Sequence, residues 1–196
     1  VSTVQLRQAG QSPWLDNISR ELLRSGKLKS LIEKSGLLGV TSNPTIFEKA
    51  ISQPGGGYDA DIKRLIRQGK STFEIYDALT ISDIGKTCDL FLPVFRRSKG
   101  EDGFVSLEVS PTLAYEEEKT VKEALRLFKA VSRPNVMIKV PATPQGVRAV
   151  RRLIGVGINI NITLMFSLKH YQEVAVAYLN GLKDFNAKGG GLGKVH

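Results

Sequence analysis

Residues 136–163 read VMIKVPATPQGVRAVRRLIGVGININIT, and this stretch combines a strand, a helix and a second strand. Val136–Val140 and Ile158–Ile162 are short apolar runs with the length of buried strands. Between them, Thr143 followed by Pro144 is typical of a helix N-cap and a first helical position. Two strands joined by one helix are expected to lie parallel, connected by a right-handed crossover.

The same alternation of short apolar runs and amphipathic helices continues along the chain. Further strands are predicted at Gly39–Thr41 and Gly103–Val109, and the apolar run Pro13-Trp14-Leu15 precedes the first long helical segment. Ser71 and Glu74 fit a capping box at the start of another helix. The segment after Asp16 is predicted to be helical, with Gly26 and Gly36 as break points, from the apolar residues Leu22, Leu23, Leu28, Leu31 and Ile32. The helix after Glu116 should form one apolar face from Val121, Ala124, Leu125 and Phe128. The helix after Ser167 should bury Leu168, Tyr171, Ala175, Tyr178 and Leu182.

Five strands that alternate with helices predict an α/β fold with a parallel sheet. Such a sheet can be an open, doubly wound sheet or a (β/α)8 barrel. A barrel typically takes about 250 residues. If the fold is a barrel, the sequence is expected to hold only about its first five βα units.

Length and composition are those of an ordinary globular chain. The 196 residues are 41% hydrophobic and 24% charged, and no apolar run reaches the roughly 18 residues that a membrane-spanning helix needs. The net charge of +9 comes from 28 Lys and Arg against 19 Asp and Glu, but the basic residues are scattered and form no stripe interleaved with aromatic residues. We therefore predict neither a nucleic-acid partner nor a membrane, and assign the charge to a solvated surface or to phosphorylated substrates.

Familiar metal and phosphate motifs are absent from the sequence. Cys88 is the single cysteine, which excludes a disulfide framework and a cysteine-based zinc site and makes a reducing, intracellular compartment the default. The two histidines, His170 and His196, do not have the spacing of metal ligands. The glycines around Gly193 and in Gly155-Val156-Gly157 match neither the P-loop nor the dinucleotide-binding pattern.

Polar residues lie within or directly after the predicted strands. The carboxyl ends of parallel strands form the edge at which α/β enzymes build their active sites. Several of these residues also have structural explanations: Asn43 as a turn residue, Asp16 as a helix N-cap and Thr163 as a good strand former. The polar residues at strand ends are Asp16, Asn43, Glu108, Lys139, Asn161 and Thr163.

Lys139 is the most informative of these residues. A charged lysine between Ile138 and Val140 in a buried strand is unfavourable without a partner. Burial favours the neutral amine, which can attack a carbonyl group and form a Schiff base. The alternative is a structural ion pair, for example with Glu108, which has the same burial problem in the preceding strand.

Four segments of the chain resemble the transaldolase family. They are Gly39–Phe47 (GVTSNPTIF), Val105–Pro111 (VSLEVSP), Ile138–Thr143 (IKVPAT) and Gly157–Ser167 (GININITLMFS), in the order of the family. Four segments in the right order are a far more specific signal than one short motif. The helical segment 71–97 and the stretch 13–17 (PWLDN) are most similar to the longer transaldolases of bacteria, cyanobacteria and plants.

The resemblance implies a (β/α)8 barrel of the class I aldolase type and a reaction without a metal or other cofactor. It implies transfer of a dihydroxyacetone unit from a ketose phosphate, such as sedoheptulose 7-phosphate or fructose 6-phosphate, to an aldose phosphate in the pentose phosphate pathway. Lys139 matches the lysine that forms the Schiff base, and Asp16 matches the group that takes the proton of the C4 hydroxyl. Glu108, through a water held with Thr163, matches the carboxylate that handles proton transfers at the carbinolamine. The residues that match the amides holding the substrate hydroxyls are Asn43 and Asn161.

The resemblance covers the whole chain but only about five of the eight βα units. We therefore expect residues 1–196 to be a single, C-terminally incomplete barrel domain with a helical insert at about 58–98. The family's phosphate-binding serine and arginine would follow the fifth helix, so the 196 residues alone are expected to be inactive. Two alternatives stay open: a truncated relative that acts as a non-catalytic subunit or binding module, and a class I aldolase that cleaves without transfer.

Partners and compartment follow from the same resemblance. We expect sugar phosphates as the partners of the site, and homo-oligomerisation is left open. The predicted compartment is the cytoplasm, with the plastid stroma as the alternative.

Overall fold

A computed structural model describes residues 2–196, which divide into two compact units. The first unit comprises residues 2–105 together with Arg133–Asn135, and the second comprises Ser106–Ser132 and Val136–His196. No helix within residues 2–196 combines the length and the apolar character needed to cross a bilayer.

The first unit contains three parallel strands. Strand β1 (Trp14–Asp16) pairs along its length with β2 (Gly39–Thr41), so that Asp16 lies opposite Thr41. Strand β2 in turn pairs with the start of β3 (Phe104–Glu108). The predicted strand at Gly39–Thr41 is confirmed.

Six helices accompany these strands. The helical segment predicted after Asp16 is divided at Gly26, whose φ of 72° belongs to the left-handed region that only glycine adopts readily. The helices of the first unit are α1 (Thr3–Gln8), α2 (Arg20–Arg24), α3 (Lys27–Ser35), α4 (Pro44–Ser52), α5 (Asp59–Arg67) and α6 (Thr72–Arg97).

The N-terminus of α6 has the predicted capping box. Ser71 Oγ accepts a hydrogen bond from the Glu74 main chain, and Glu74 in return accepts one from the main-chain N–H of Ser71. Lys70 Nζ also donates to Glu74 at 2.7 Å. The hydrogen bonds that the Glu74 carboxylate accepts, first that from Lys70 and then those from the main chain and the hydroxyl of Ser71, lower its pKa from 4.5 to about 2.

The second unit contains the end of β3 and two further parallel strands. Strands β4 (Val136–Pro141) and β5 (Ile160–Thr163) pair in a register that places Lys139 opposite Asn161. The main-chain N–H of Val109, just beyond β3, donates to Lys139 O at 3.1 Å. The helices of this unit are α7 (Glu117–Val131), α8 (Pro144–Ile154) and α9 (Leu168–Ala187), with short 3-10 helices at Pro111–Leu113 and Leu192–Lys194.

The strands follow one another in the order β1-β2-β3-β4-β5, and β3 belongs to both units. An order that follows the chain without reversal is that of a (β/α)8 barrel, whereas a doubly wound sheet reverses at a switch point. The prediction of a parallel α/β fold with about five βα units of a barrel is confirmed.

The predicted buried face of α9 is wrong. Leu168 and Tyr171 are 83% and 60% exposed, whereas the buried residues of this helix are Val174, Ala177 and Gly181. Small side chains allow α9 to approach α8 closely: a Cβ at Gly181 would lie 2.7 Å from the carbonyl oxygen of Arg151. A pattern of large apolar residues therefore points to the wrong face.

A similar correction applies to α7. Leu125, expected in the core, is 40% exposed, and Leu127 is buried in its place. Val121 and Ala124 are buried as predicted. Leu127 completes the buried stripe three residues after Ala124, which is the spacing of one helix face.

Candidate active site

Lys139 lies in the interior of β4, between two side chains that are fully buried. Ile138 and Val140 are 0% exposed, and the side chain of Lys139 is 12% exposed. Its Nζ lies 3.4 Å from Oε2 of Glu108, the last residue of β3, whose side chain is 14% exposed. The structure therefore places an amine and a carboxylate side by side in a nearly dry environment, where protons can pass between them.

Asn161 belongs to the same group of side chains. It is the register partner of Lys139, and its Nδ2 donates to Ser106 Oγ at 2.8 Å. Ser106 is fully buried and lies two residues before Glu108 in β3, so both face the same side of the sheet. Sequence reasoning missed Ser106, although its two-residue spacing from Glu108 was a usable signal.

Thr163 is the last residue of β5 and lies opposite Pro141. Because strand side chains alternate, it faces the same side as Asn161, two residues earlier. Its carbonyl oxygen accepts a hydrogen bond from the N–H of Ala142 at 2.8 Å, which fixes the end of the strand. The second unit thus brings Lys139, Glu108, Asn161 and Thr163 to neighbouring positions on β3, β4 and β5.

Asn43 and Asp16 belong to the first unit. Asn43 caps α4 with its Oδ1, which accepts from Ile46 N at 2.9 Å, while its Nδ2 takes no part in that cap. Asp16 ends β1 and is exposed. The interpretation of Asp16 as a helix N-cap is wrong, since Ser19 caps α2 by accepting from the main chain of Leu22 at 3.1 Å.

The carboxyl ends of β1 and β2 nevertheless lie together within this unit. Asp16 is the register partner of Thr41, two residues before Asn43. Thr41 Oγ1 is buried and makes no hydrogen bond with any part of residues 2–196. Thr41 is a second polar group that the sequence analysis missed, because threonine is common in strands.

A metal ion bound by the protein would need a group of His, Cys, Asp or Glu side chains as ligands. Within residues 2–196, no three His, Cys, Asp or Glu side chains are grouped so that they could hold a metal ion.

Comparison with known proteins identifies the family. The family model described as Transaldolase/Fructose-6-phosphate aldolase matches residues 13–191. The chain belongs to this family. The resemblance that rests on the four sequence segments is thereby confirmed.

Individual relatives agree with the family assignment. The chain is 48% identical over 192 residues to a transaldolase of Trichodesmium erythraeum, covering 98% of this chain and 50% of that protein. It is 49% identical over 190 residues to a transaldolase of Thiobacillus denitrificans, covering 97% of this chain and 53% of that protein. A transaldolase of Mycobacterium bovis is 44% identical over 191 residues, covering 97% of this chain and 51% of that protein. The chain spans about half the length of these relatives.

Proposed function

We propose that the protein containing these residues is a transaldolase that moves a dihydroxyacetone unit between sugar phosphates through a Schiff base on Lys139. The observation that carries the proposal is the nearly buried Lys139 amine, 3.4 Å from the Glu108 carboxylate, in a member of this family. A nucleophilic lysine needs limited access of water and a nearby group that handles protons; the burial of Lys139 supplies the first and Glu108 the second.

The first half of the reaction builds the covalent intermediate. The neutral Lys139 amine attacks the C2 carbonyl of the ketose phosphate, and a C–N bond forms as the carbonyl oxygen becomes a hydroxyl group. Glu108 moves the protons, through a water held with Thr163, so that this hydroxyl leaves as water and an iminium ion remains. At 3.4 Å from Nζ, the Glu108 carboxylate is within reach of such a water.

The second half breaks and remakes a carbon–carbon bond. Asp16 takes the proton of the C4 hydroxyl, the C3–C4 bond breaks, and its electron pair is delocalised into the iminium group. C4 becomes the aldehyde carbon of an aldose phosphate, which leaves the site. The enamine then attacks the aldehyde of the acceptor, whose oxygen takes the proton back from Asp16. Hydrolysis of the new iminium ion releases the product ketose and restores the Lys139 amine. We propose that the amides of Asn43 and Asn161 hold the hydroxyls of the dihydroxyacetone unit.

The environment of Asn161 supports its proposed role. Because one N–H of its amide is engaged by Ser106, the orientation of the group is fixed before substrate arrives. The remaining oxygen and N–H of the amide are suited to hydroxyl groups of the dihydroxyacetone unit, each of which both donates and accepts.

We also propose sugar phosphates as substrates and the cytoplasm as the compartment. The family supports the former, and the unpaired, buried thiol of Cys88 supports a reducing compartment.

The proposal is tested by supplying the protein, as its gene encodes it, with sedoheptulose 7-phosphate and glyceraldehyde 3-phosphate. We expect fructose 6-phosphate to form only when both are present, and Lys139→Met to abolish its formation. Release of free dihydroxyacetone from the donor alone would instead indicate a cleaving aldolase. No reaction with the intact wild-type protein would indicate a non-catalytic relative.

A further inference from the structure

A buried ionic network in the first unit lies outside the residues used in the proposed reaction. Its centre is Arg20, the first residue of α2, which is 3% exposed. Arg20 Nε donates to Asp83 Oδ1 at 3.1 Å, and Nη1 donates to Asp61 Oδ2 at 2.6 Å and to Gly57 O at 3.0 Å. One guanidinium group therefore joins α2 to α5, to α6 and to the loop between α4 and α5.

Tyr58 also contacts Arg20, through both its ring and its hydroxyl group. The Arg20 guanidinium lies over its ring, 4.3 Å from the centroid, and the main-chain N–H of Arg20 donates to Tyr58 Oη at 3.3 Å. Tyr58 is 1% exposed, and burial, followed by the negative charge of Asp83, raises the pKa of its hydroxyl. Both the side chain and the main chain of Arg20 are thus held in place.

Stability alone is a poor explanation for this arrangement. Removing charges from water is so unfavourable that apolar replacements of buried ion pairs are often neutral or stabilising. Asp83 is fully buried, and its Oδ2 makes no hydrogen bond with any group in the described chain, residues 2–196. Because burying these charges is unfavourable, the network is better explained by the positions in which it holds the residues that it joins.

The segment that the network fixes begins at Asp16. Only residues 17–19 separate Asp16 from Arg20, and among them Ile18 is fully buried. On its other side Asp16 is held by the pairing of β1 with β2. Within residues 2–196, no side chain makes a hydrogen bond or ion pair with the Asp16 carboxylate, so its position depends on the main chain at both ends.

We propose that Arg20 is a positioning residue for Asp16, anchored by Asp83, Asp61 and Tyr58 so that the carboxylate meets the C4 hydroxyl of the substrate. This inference rests on the proposed role of Asp16. A displacement of about 1 Å at a reacting group lowers turnover by as much as 10²-fold. Because Lys139 acts before Asp16, disturbing Arg20 should slow bond cleavage and leave imine formation intact.

The test uses Arg20→Lys, which keeps the charge but has no planar fork to reach three partners at once. Tyr58→Phe is the second, milder variant, since it keeps the ring and removes only the hydroxyl. For Arg20→Lys we expect turnover of sedoheptulose 7-phosphate to fall at least about tenfold, with unchanged borohydride trapping of the imine on Lys139. Amide hydrogen exchange of residues 16–19 should become faster in both variants.

The control is Leu65→Ala, which weakens the core cluster that Leu65 shares with Tyr58 but removes no hydrogen-bond partner of Arg20. It should lower the melting temperature and change neither the exchange of residues 16–19 nor turnover per folded molecule. The inference is overturned if Arg20→Lys and Tyr58→Phe keep wild-type exchange in this segment. It is also overturned if turnover and trapping fall together, or if Leu65→Ala reproduces the loss. An inactive wild-type protein would refute the proposed function instead, and the exchange measurement would still decide whether Arg20 holds this segment.

Discussion

Removing the ion pair between Lys139 and Glu108 should reveal a measurable coupling energy. At the observed 3.4 Å, the Coulomb attraction is about 5 kcal/mol for an effective dielectric constant of about 20. Water still reaches 12% and 14% of the two side chains, so the net coupling lies between that of exposed and fully buried pairs, at about 1–3 kcal/mol. The perturbations are Lys139→Met and Glu108→Gln, which approximate the shapes of the original side chains, and the combination of both.

The assay is a double-mutant cycle of urea unfolding on the protein as its gene encodes it. Each single variant should lower the free energy of unfolding, because it leaves the partner's charge in a nearly dry site without its counter-charge. The double variant should recover part of that loss. Additivity within about 0.3 kcal/mol would show that the pair is not formed in the folded protein and would refute the reasoning.

Three further results are expected. Asp16→Ala should still allow borohydride trapping on Lys139 but should reduce turnover about 10²–10⁴-fold, and near-wild-type turnover would refute its role. Gly103→Ala should lower the free energy of unfolding by about 3 kcal/mol or more, because the φ of Gly103 is 88° and the new Cβ would lie 2.4 Å from a main-chain nitrogen of α6. Gly10→Ala, at a φ of 79° but in open space, should lower it by only about 1–2 kcal/mol, and equal losses of the two variants in urea unfolding would contradict this prediction. The pKa of the Glu74 carboxylate is lowered in the folded protein, so its contribution to stability is complete above pH 4.5 and disappears as the pH falls towards about 2. The difference in urea midpoint between wild type and Glu74→Gln should therefore shrink over that range, and a constant difference would refute this prediction.

The parts of the fold that depend on local chemistry could be predicted from the sequence. The capping box at Ser71 and the cap at Thr143 follow from interactions between near neighbours, and the structure confirms them. Their energetics do not depend on what packs against them.

The parts that depend on distant partners could not be predicted in this way. Which side of α9 is buried is decided by how closely Gly181 approaches α8, and a search for large apolar residues in the sequence of α9 passes over this small residue. The sequence likewise marks Arg20 only as one more basic residue, because Asp61 and Asp83 lie 41 and 63 residues away.

The candidate site shows the same division. Lys139 and Glu108 could be singled out because a charge inside an apolar run is unusual, and the structure brings them within 3.4 Å of each other. Ser106 could have been singled out only through its two-residue spacing from Glu108, and Thr41 could not, since threonine is ordinary in strands and only the sheet register places it opposite Asp16.

Covalent trapping on Lys139 tests the central claim most directly. The intact protein is treated with fructose 6-phosphate and sodium borohydride, digested, and its peptides are analysed by mass spectrometry. A reduced dihydroxyacetone unit should be found on the peptide that contains Lys139 and should be missing from Lys139→Met. It should remain in the control Lys188→Met, whose amine donates to the carbonyl of Gly155 and has no role in the proposed reaction. Modification of a different lysine, or no modification while turnover is normal, would contradict the account.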